Sequence, residues 1–163
     1  MTSQGARPRR SAAEQAKLED DLRDLFQTRI TFNKELELQV VSCKPEHPSM
    51  AFNMRPALVG HFHYGRLHGG VISAVLDTTA GLGLMCAIGE HFCDESSEQI
   101  MARFLKVGTI DLRIDYLRQG IGKRFVATAS VVRLGGRVAS TRMELHNEQN
   151  LLIATGAAAY VVS

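Results

Sequence analysis

The stretch "RLHGGVISAVLDTTAGLGLMCAI", Arg66 to Ile88, constrains this chain more than any other segment. It reads as one long helix, hydrophobic on most faces and therefore buried on most faces. Yet one carboxylate, Asp77, stands near its middle, and between Arg66 and Glu90 the only other acidic or basic side chain is His68. Burying a lone carboxylate is costly unless it is paired or hydrogen-bonded. Either neighbours satisfy Asp77 or the protein tolerates the cost for chemistry. The run is long enough to suggest a membrane span. Asp77, His68, two threonines, a serine and four glycines instead favour the core helix of a soluble protein, with no membrane span.

The flanking pattern supplies that helix with a partner. Residues 1–10 carry Gly, Pro, Arg and Ser without periodicity and read as a disordered tail, with "RPRR" at 7–10 solvated. Residues 11–163 read as a single domain, long enough to bury its own core. From Ser11 to Gln27, Leu18, Leu22, Leu25 and Phe26 recur at helical spacing behind a Ser11–Glu14 capping box. Alternation then predicts two strands. Leu36, Leu38 and Val40 lie on one side of the first, Met50, Phe52 and Met54 on one side of the second, and Pro56 stops the second. After the long helix, "SEQIMARFLK" has room for a short helix, and the last third is all β. "TIDLRIDYLR" sets Ile110, Leu112, Ile114 and Tyr116 against Asp111, Arg113 and Asp115. Two further strands join at Gly135-Gly136, and "LLIATGAAAYVV" closes the chain. The predicted class is α+β: a long central helix wrapped by a mainly antiparallel six-stranded sheet, preceded by an amphipathic helix. One sheet covers one side of a helix only, so the apolar remainder predicts a homodimer.

Composition narrows the function. A net charge of +2, with basic residues dispersed, gives no nucleic-acid surface. Three cysteines without C-x-x-C spacing fit reduced thiols, and the first 30 residues lack a signal core, so a cytoplasmic protein is expected. Nucleophile-elbow, phosphate-loop, zinc-protease and dinucleotide motifs are absent from the sequence. His61 and His63 share a face if "HFH" is extended and could begin a metal site. No third ligand stands at suitable spacing, so no metal is expected.

What remains is "LHGG" and Asp77. Gly69 and Gly70 ahead of a helix let backbone N–H groups approach a ligand, and a helix N-terminus favours negative charge such as a developing oxyanion. Equally, the two glycines can simply make a tight loop. Asp77 is either a reacting carboxylate or a structural one bonded to neighbouring backbone. Gly70 and Asp77 are seven residues apart, nearly on one helix face. Along the axis they are about 10 Å apart, too far to share one reacting carbonyl. Gly70 of one chain would have to meet Asp77 of another across a two-fold axis.

"LHGGVISAVLDTTAG", with its aspartate nine positions after the histidine, resembles the signature of hotdog-fold acyl-CoA thioesterases of the PaaI type. The resemblance continues through "GTIDLRIDYLRQGIGK" to the "LIATG" ending, spans roughly Leu36 to Val162, and is strongest to the YigI-like branch. It implies hydrolysis of a fatty (medium- to long-chain) or aryl acyl-CoA to free acid and CoA. No metal or organic cofactor is implied, and the assembly would be a homodimer or a dimer of dimers. Asp77 would activate water or attack the thioester carbonyl, and the partner chain's Gly70 N–H would hold the oxyanion. His68 would shape the loop or polarise the carbonyl, and Thr78 or a nearby hydroxyl would orient the water. Many relatives carry an Asn a few residues before HGG; here His61 and His63 are the polar groups available. Arg113, Arg118 and Lys123 flank the "RQGIGK" turn and are candidates to bind the phosphates of CoA, or else form a solvated hairpin tip. The alternative is a non-catalytic acyl-CoA-binding hotdog protein. Asp77 favours the enzyme, because a mere binder gains nothing from a buried carboxylate beside its ligand. A hotdog hydratase is weaker still, for want of an Asp/His dyad.

Overall fold

The computed structural model describes residues 8–163, so residues 1–7 of the expected tail lie outside the described residues. In the part that is described, Arg9 and Arg10 bond to the end of the long helix. Arg9 pairs with Glu90 at 2.6 Å, and the Arg10 guanidinium donates to the Gly89, Phe92 and Glu95 carbonyls. Those carbonyls close the long helix and the loop after it, so Arg10 supplies donors that a helix C-terminus lacks.

Ser11 caps α1 (Ala12–Asp24), its hydroxyl accepting from the Glu14 N–H at 3.2 Å. The Glu14 carboxylate does not return the bond. It accepts from the Ser97 N–H at 2.6 Å and so ties α1 to the short helix Ser97–Arg103. A π-helical turn, Leu25–Arg29, and α2 (Thr31–Glu35) follow. Leu36 and Leu38 are buried as the alternation requires, but Glu37 takes φ 54° and delays the first strand, β1, to Gln39–Ser42. Then come β2 (Ser49–Asn53), a small hairpin of β3 (Val59–His61) and β4 (Arg66–Leu67), and the long α3 (Gly69–His91). The hairpin is absent from the periodicity because its strands are too short to alternate. The helix α4 is Ser97–Arg103, and β5 (Gly108–Tyr116), β6 (Arg124–Leu134), β7 (Val138–Asn147) and β8 (Leu152–Val161) complete the chain.

The six long strands form one sheet in the order β1-β2-β6-β7-β8-β5, antiparallel at every pairing. The helix α3 lies on the face that presents Phe125, Ala127, Met143, Leu145 and Tyr160, all buried. It is long and apolar enough to cross a membrane, but most of it is buried inside the protein. The sheet does not cover it alone. Phe26 of the π-turn approaches Gly81, and the Leu18 side chain of α1 is so near Gly89 that a Cβ there would lie 3.0 Å away. The chain's own N-terminal helices therefore cover much of the side that the single-sheet argument assigned to a partner.

The edge strand β5 also differs from its simple alternation. Its apolar row is only part covered, with Tyr116 54% exposed, because no strand among the described residues lies beyond it. Ile110 is 58% exposed and falls in a bulge between Thr109 and Asp111. A bulge adds one residue and flips the side-chain register across it. Thr109, itself exposed, consequently lies on the α3 side of the sheet with Leu112 and Ile114, paired opposite Tyr160 of β8.

Candidate active site

The β3–β4 hairpin delivers His68 to the start of α3. The His68 N–H donates to the Leu58 carbonyl at 2.9 Å. Gly60 presses so closely that a Cβ there would sit 2.4 Å from His68 Cα. His68 is the N-cap of α3, its Nδ1 accepting from the Gly70 N–H at 2.9 Å. A backbone N–H only donates, so Nδ1 is unprotonated and the ring proton is on Nε2. A Cβ on Gly70 would come within 2.9 Å of that Nδ1, so the cap closes only over glycine. Tyr116 completes the entrance, its hydroxyl donating to the Gly69 carbonyl at 3.0 Å.

Asp77 lies two helical turns along. The exposed and half-buried positions of this part of α3 are Gly69, Gly70, Val71, Ser73, Ala74, Asp77 and Thr78, an open stripe at helical spacing. The carboxylate is half-buried and bonded on one side only. Its Oδ1 accepts from the Tyr160 hydroxyl at 2.7 Å and from the Thr109 hydroxyl at 3.0 Å. Its Oδ2 receives no hydrogen bond among the described residues. Burial, then the hydrogen bond to Asp77 and its negative charge, push the Tyr160 phenol far above its usual range. Asp77 is thus neither lone nor saturated: one oxygen is held, the other is available.

Thr78 does not join this group. Its hydroxyl donates to the Asn33 Oδ1 at 3.1 Å, and the Asn33 amide in turn donates to the Phe26 carbonyl at 2.9 Å. Thr78 therefore fastens α2 to α3, and the hydroxyl beside the carboxylate belongs to Thr109. His61 and His63 do not form an extended pair either, because residues 62–65 are a turn. The His61 carbonyl accepts from the Tyr64 and Gly65 N–H groups, and both imidazoles pack on Tyr64. Among the described residues, three or more His, Cys, Asp or Glu side chains never gather as a metal site would require.

The three basic candidates separate. Arg118 lines a cavity of about 440 Å³ together with Arg66, Gly69, Ile72 and Tyr116, at the entrance to α3. Arg113 instead pairs with Asp115 at 3.0 Å and faces a larger groove, about 1210 Å³, with Arg142 and Glu144. That groove lies on the side of the sheet turned away from α3, so its size says nothing about Asp77. Lys123 is exposed on a loop beside Glu148, whose carboxylate accepts from the Lys123 N–H. Arg66, Tyr116, Thr109 and Tyr160 are site neighbours that sequence reasoning missed. Only Arg66, two residues before His68, carried a local signal.

A long helix opened by a glycine pair and laid on one face of an antiparallel six-stranded sheet defines a hotdog-fold protein. The thioesterase superfamily matches residues 64–154, a segment that includes both Gly70 and Asp77. The medium/long-chain acyl-CoA thioesterase YigI of Escherichia coli K12 is 40% identical over 139 residues, covering 85% of this chain and 90% of the relative. A crystal structure from Shewanella oneidensis, of a protein related to the thioesterase superfamily, superposes with TM-score 0.88 at 38% identity, covering 94% of this chain and 100% of that one. Another from Syntrophus aciditrophicus gives TM-score 0.80 at 35% identity, with the same coverages. The chain belongs to the thioesterase superfamily, and it is a thioester hydrolase.

Proposed function

We propose that the protein hydrolyses medium- to long-chain fatty acyl-CoA thioesters, with Asp77 as the reacting carboxylate. The observation that carries this reading is the asymmetry of Asp77: Oδ1 is held by two hydroxyls while Oδ2 is free on an open stripe of α3. Oδ2 takes a proton from water as the water oxygen bonds to the thioester carbon. The carbonyl oxygen gains charge, the C–S bond breaks, and the departing thiolate takes the proton to give CoA and the free acid. Sequence kinship to a medium/long-chain acyl-CoA thioesterase supports the chain-length class.

The oxyanion donor is the Gly70 N–H at the N-terminus of α3, where the helix dipole favours negative charge. His68 Nδ1 accepts from that same N–H, so the thioester oxygen must compete with the imidazole for it. About 10 Å of helix separates Gly70 from Asp77 in one chain, which supports a site shared between two copies. The part-covered edge of β5 and the small residues Gly70, Ser73 and Ala74 on the open stripe support the same pairing. The phosphates of CoA fit the Arg66–Arg118 cavity beside Gly69 better than the dispersed trio of Arg113, Arg118 and Lys123. Neither Arg66 nor Arg118 has a carboxylate partner among the described residues.

The test is thiol release from acyl-CoA esters of graded chain length, run on the wild-type protein and on Asp77→Asn. Wild type should turn over medium and long chains. Asp77→Asn should fold with an unchanged thermal midpoint and lose about 10³-fold or more in kcat/KM, within the range a positioned base or nucleophile supplies. Near wild-type rates in Asp77→Asn would make the carboxylate structural.

A further inference from the structure

The best-defined contact to Asp77 comes from a residue that the superfamily match does not reach. Tyr160 lies beyond residue 154, where that match ends, near the end of the last strand. Its ring is buried, 2% exposed, and its hydroxyl lies 2.7 Å from Asp77 Oδ1 and 3.1 Å from the Asp77 main-chain carbonyl. The phenol therefore spans the carboxyl group and the helix backbone that carries it. Thr109, directly opposite Tyr160 across the β5–β8 pairing, adds the second donor at 3.0 Å. Two hydroxyl donors occupy the two lone-pair directions of one carboxylate oxygen. With Oδ1 so held, the carboxyl group cannot swing about its own axis without breaking both bonds.

We propose that Tyr160 is a positioning residue for the hydrolysis, locking the Asp77 carboxylate through Oδ1 so that Oδ2 alone is the reacting oxygen. This rests on the reading of Asp77 as the reacting carboxylate. The phenol is suited to the task because it is pinned by packing on both sides. It stands between Ala139 on β7 and Thr109 on β5, inside the core cluster. A donor on an exposed, flexible side chain would follow the carboxylate instead of fixing it. Tyr160 also remains a donor throughout the working pH range, since its phenol is held protonated by burial and by the carboxylate it bonds.

The experiment is Tyr160→Phe, which keeps the ring and deletes only the hydroxyl, assayed beside Asp77→Asn and the double variant. The expected result for Tyr160→Phe is a kcat about tenfold lower, the size of one hydrogen bond to a charged group. KM should stay within about twofold, because the group acts on the reacting atom and not on ground-state binding. In the Asp77→Asn background the same change should leave the residual rate untouched, because Tyr160 acts only through the carboxylate. An unchanged kcat in Tyr160→Phe overturns the proposal, as does a fall in kcat matched by an equal rise in KM, or an equal loss in the Asp77→Asn background. A near wild-type rate in Asp77→Asn would be a different failure, sinking the assignment of the carboxylate and this role with it. An inactive Asp77→Asn beside a wild-type Tyr160→Phe sinks only the positioning role.

Discussion

Between Gly69 and Thr78, α3 leaves seven of its positions open or half-buried; between Thr79 and Gly89, every residue but Ala87 is buried. Both halves rest on the same sheet, so the sheet is not what separates them. The far half is closed from behind by Leu18 and Phe26, which pack against Gly89 and Gly81. Its end is sealed by Arg10. Among the described residues, nothing covers the near half in this way. There the small residues Gly70, Ser73 and Ala74 stand beside the free edge of β5, with Asp77 in the stripe. One helix thus provides a packed anchor at one end and a low-profile open face at the other. A carboxylate is affordable on the open half because two hydroxyls and solvent share its charge, whereas in the far half it would meet only Leu, Met and Ile.

The largest effect should come from splitting the open half between two chains. Take Asp77→Ala and Gly70→Pro, the second removing the N–H within the first helical turn, where proline is tolerated. Each parent should be nearly inactive. After joint unfolding and refolding, random pairing makes about half the dimers mixed, and each mixed dimer holds one site with both groups intact. Activity should recover to about a quarter of wild type. Circular dichroism and oligomer size of each parent come first, since Gly70→Pro also displaces the His68 cap. No recovery from well-folded, verified mixed dimers would show that both groups serve the site of a single chain.

The opposite half breaks in the opposite currency. Leu84 is fully buried, and Leu84→Ala should cost about 2–5 kcal/mol. The thermal midpoint should fall by about 10 °C, at the few degrees per kcal/mol usual for a chain of this size. Below the transition, kcat/KM should hold. A folded Leu84→Ala protein with crippled turnover would erase the distinction between anchor and open face.

Much of this contrast was legible beforehand. The Gly-Gly opening, the run to Ile88 and Asp77 within it follow from residue order, and six strands around the helix follow from period two. What escaped depends on partners far along the chain. Thr109 escaped because strict alternation sets it opposite Leu112, and only the bulge at Ile110 turns it to the α3 side. Tyr160 sits in an ordinary strand, and its meeting with Asp77 is fixed by a strand register that no local pattern encodes. Thr78 was the natural hydroxyl to choose because it follows Asp77. Successive residues on a helix point about 100° apart, though, and Thr78 is turned toward Asn33. The basic trio separates for a similar reason: Arg113 and Arg118 are near in sequence but line different cavities.

The entrance to the open half gives a smaller and more selective test. Reversing Arg66 and Arg118 together to Glu should raise KM for acyl-CoA about tenfold, the scale of one charge-assisted phosphate contact. KM for the matching acyl-pantetheine thioester, which lacks the nucleotide and its phosphates, should hardly move. Reversing Arg113, on the other side of the sheet, should change neither value. Equal effects on both substrates would assign the two arginines to folding of the entrance instead of to CoA.

The smallest effect separates two neighbouring arginines at the closed end. The Arg10 guanidinium is half-buried and reaches three main-chain carbonyls, of Gly89, Phe92 and Glu95, which have few other donors within reach at the end of a helix. Arg10→Ala should therefore lower stability by about 1–2 kcal/mol, a few degrees in the thermal midpoint. Arg9 makes a short ion pair with Glu90, but the two side chains are 63% and 47% exposed, and water competes for both. Arg9→Ala should leave the midpoint where it is at moderate salt, since such surface pairs contribute little. Its hydrogen bond and charge hold the Glu90 carboxyl below its ordinary range. Any residual contribution is therefore present above that ordinary value and vanishes as pH falls through the lowered one. Thermal melts of the two variants at neutral pH, and of Arg9→Ala also at acid pH, decide it. A midpoint loss in Arg9→Ala as large as in Arg10→Ala would mean that the seal on α3 is electrostatic, and that supplying its carbonyls with donors matters little.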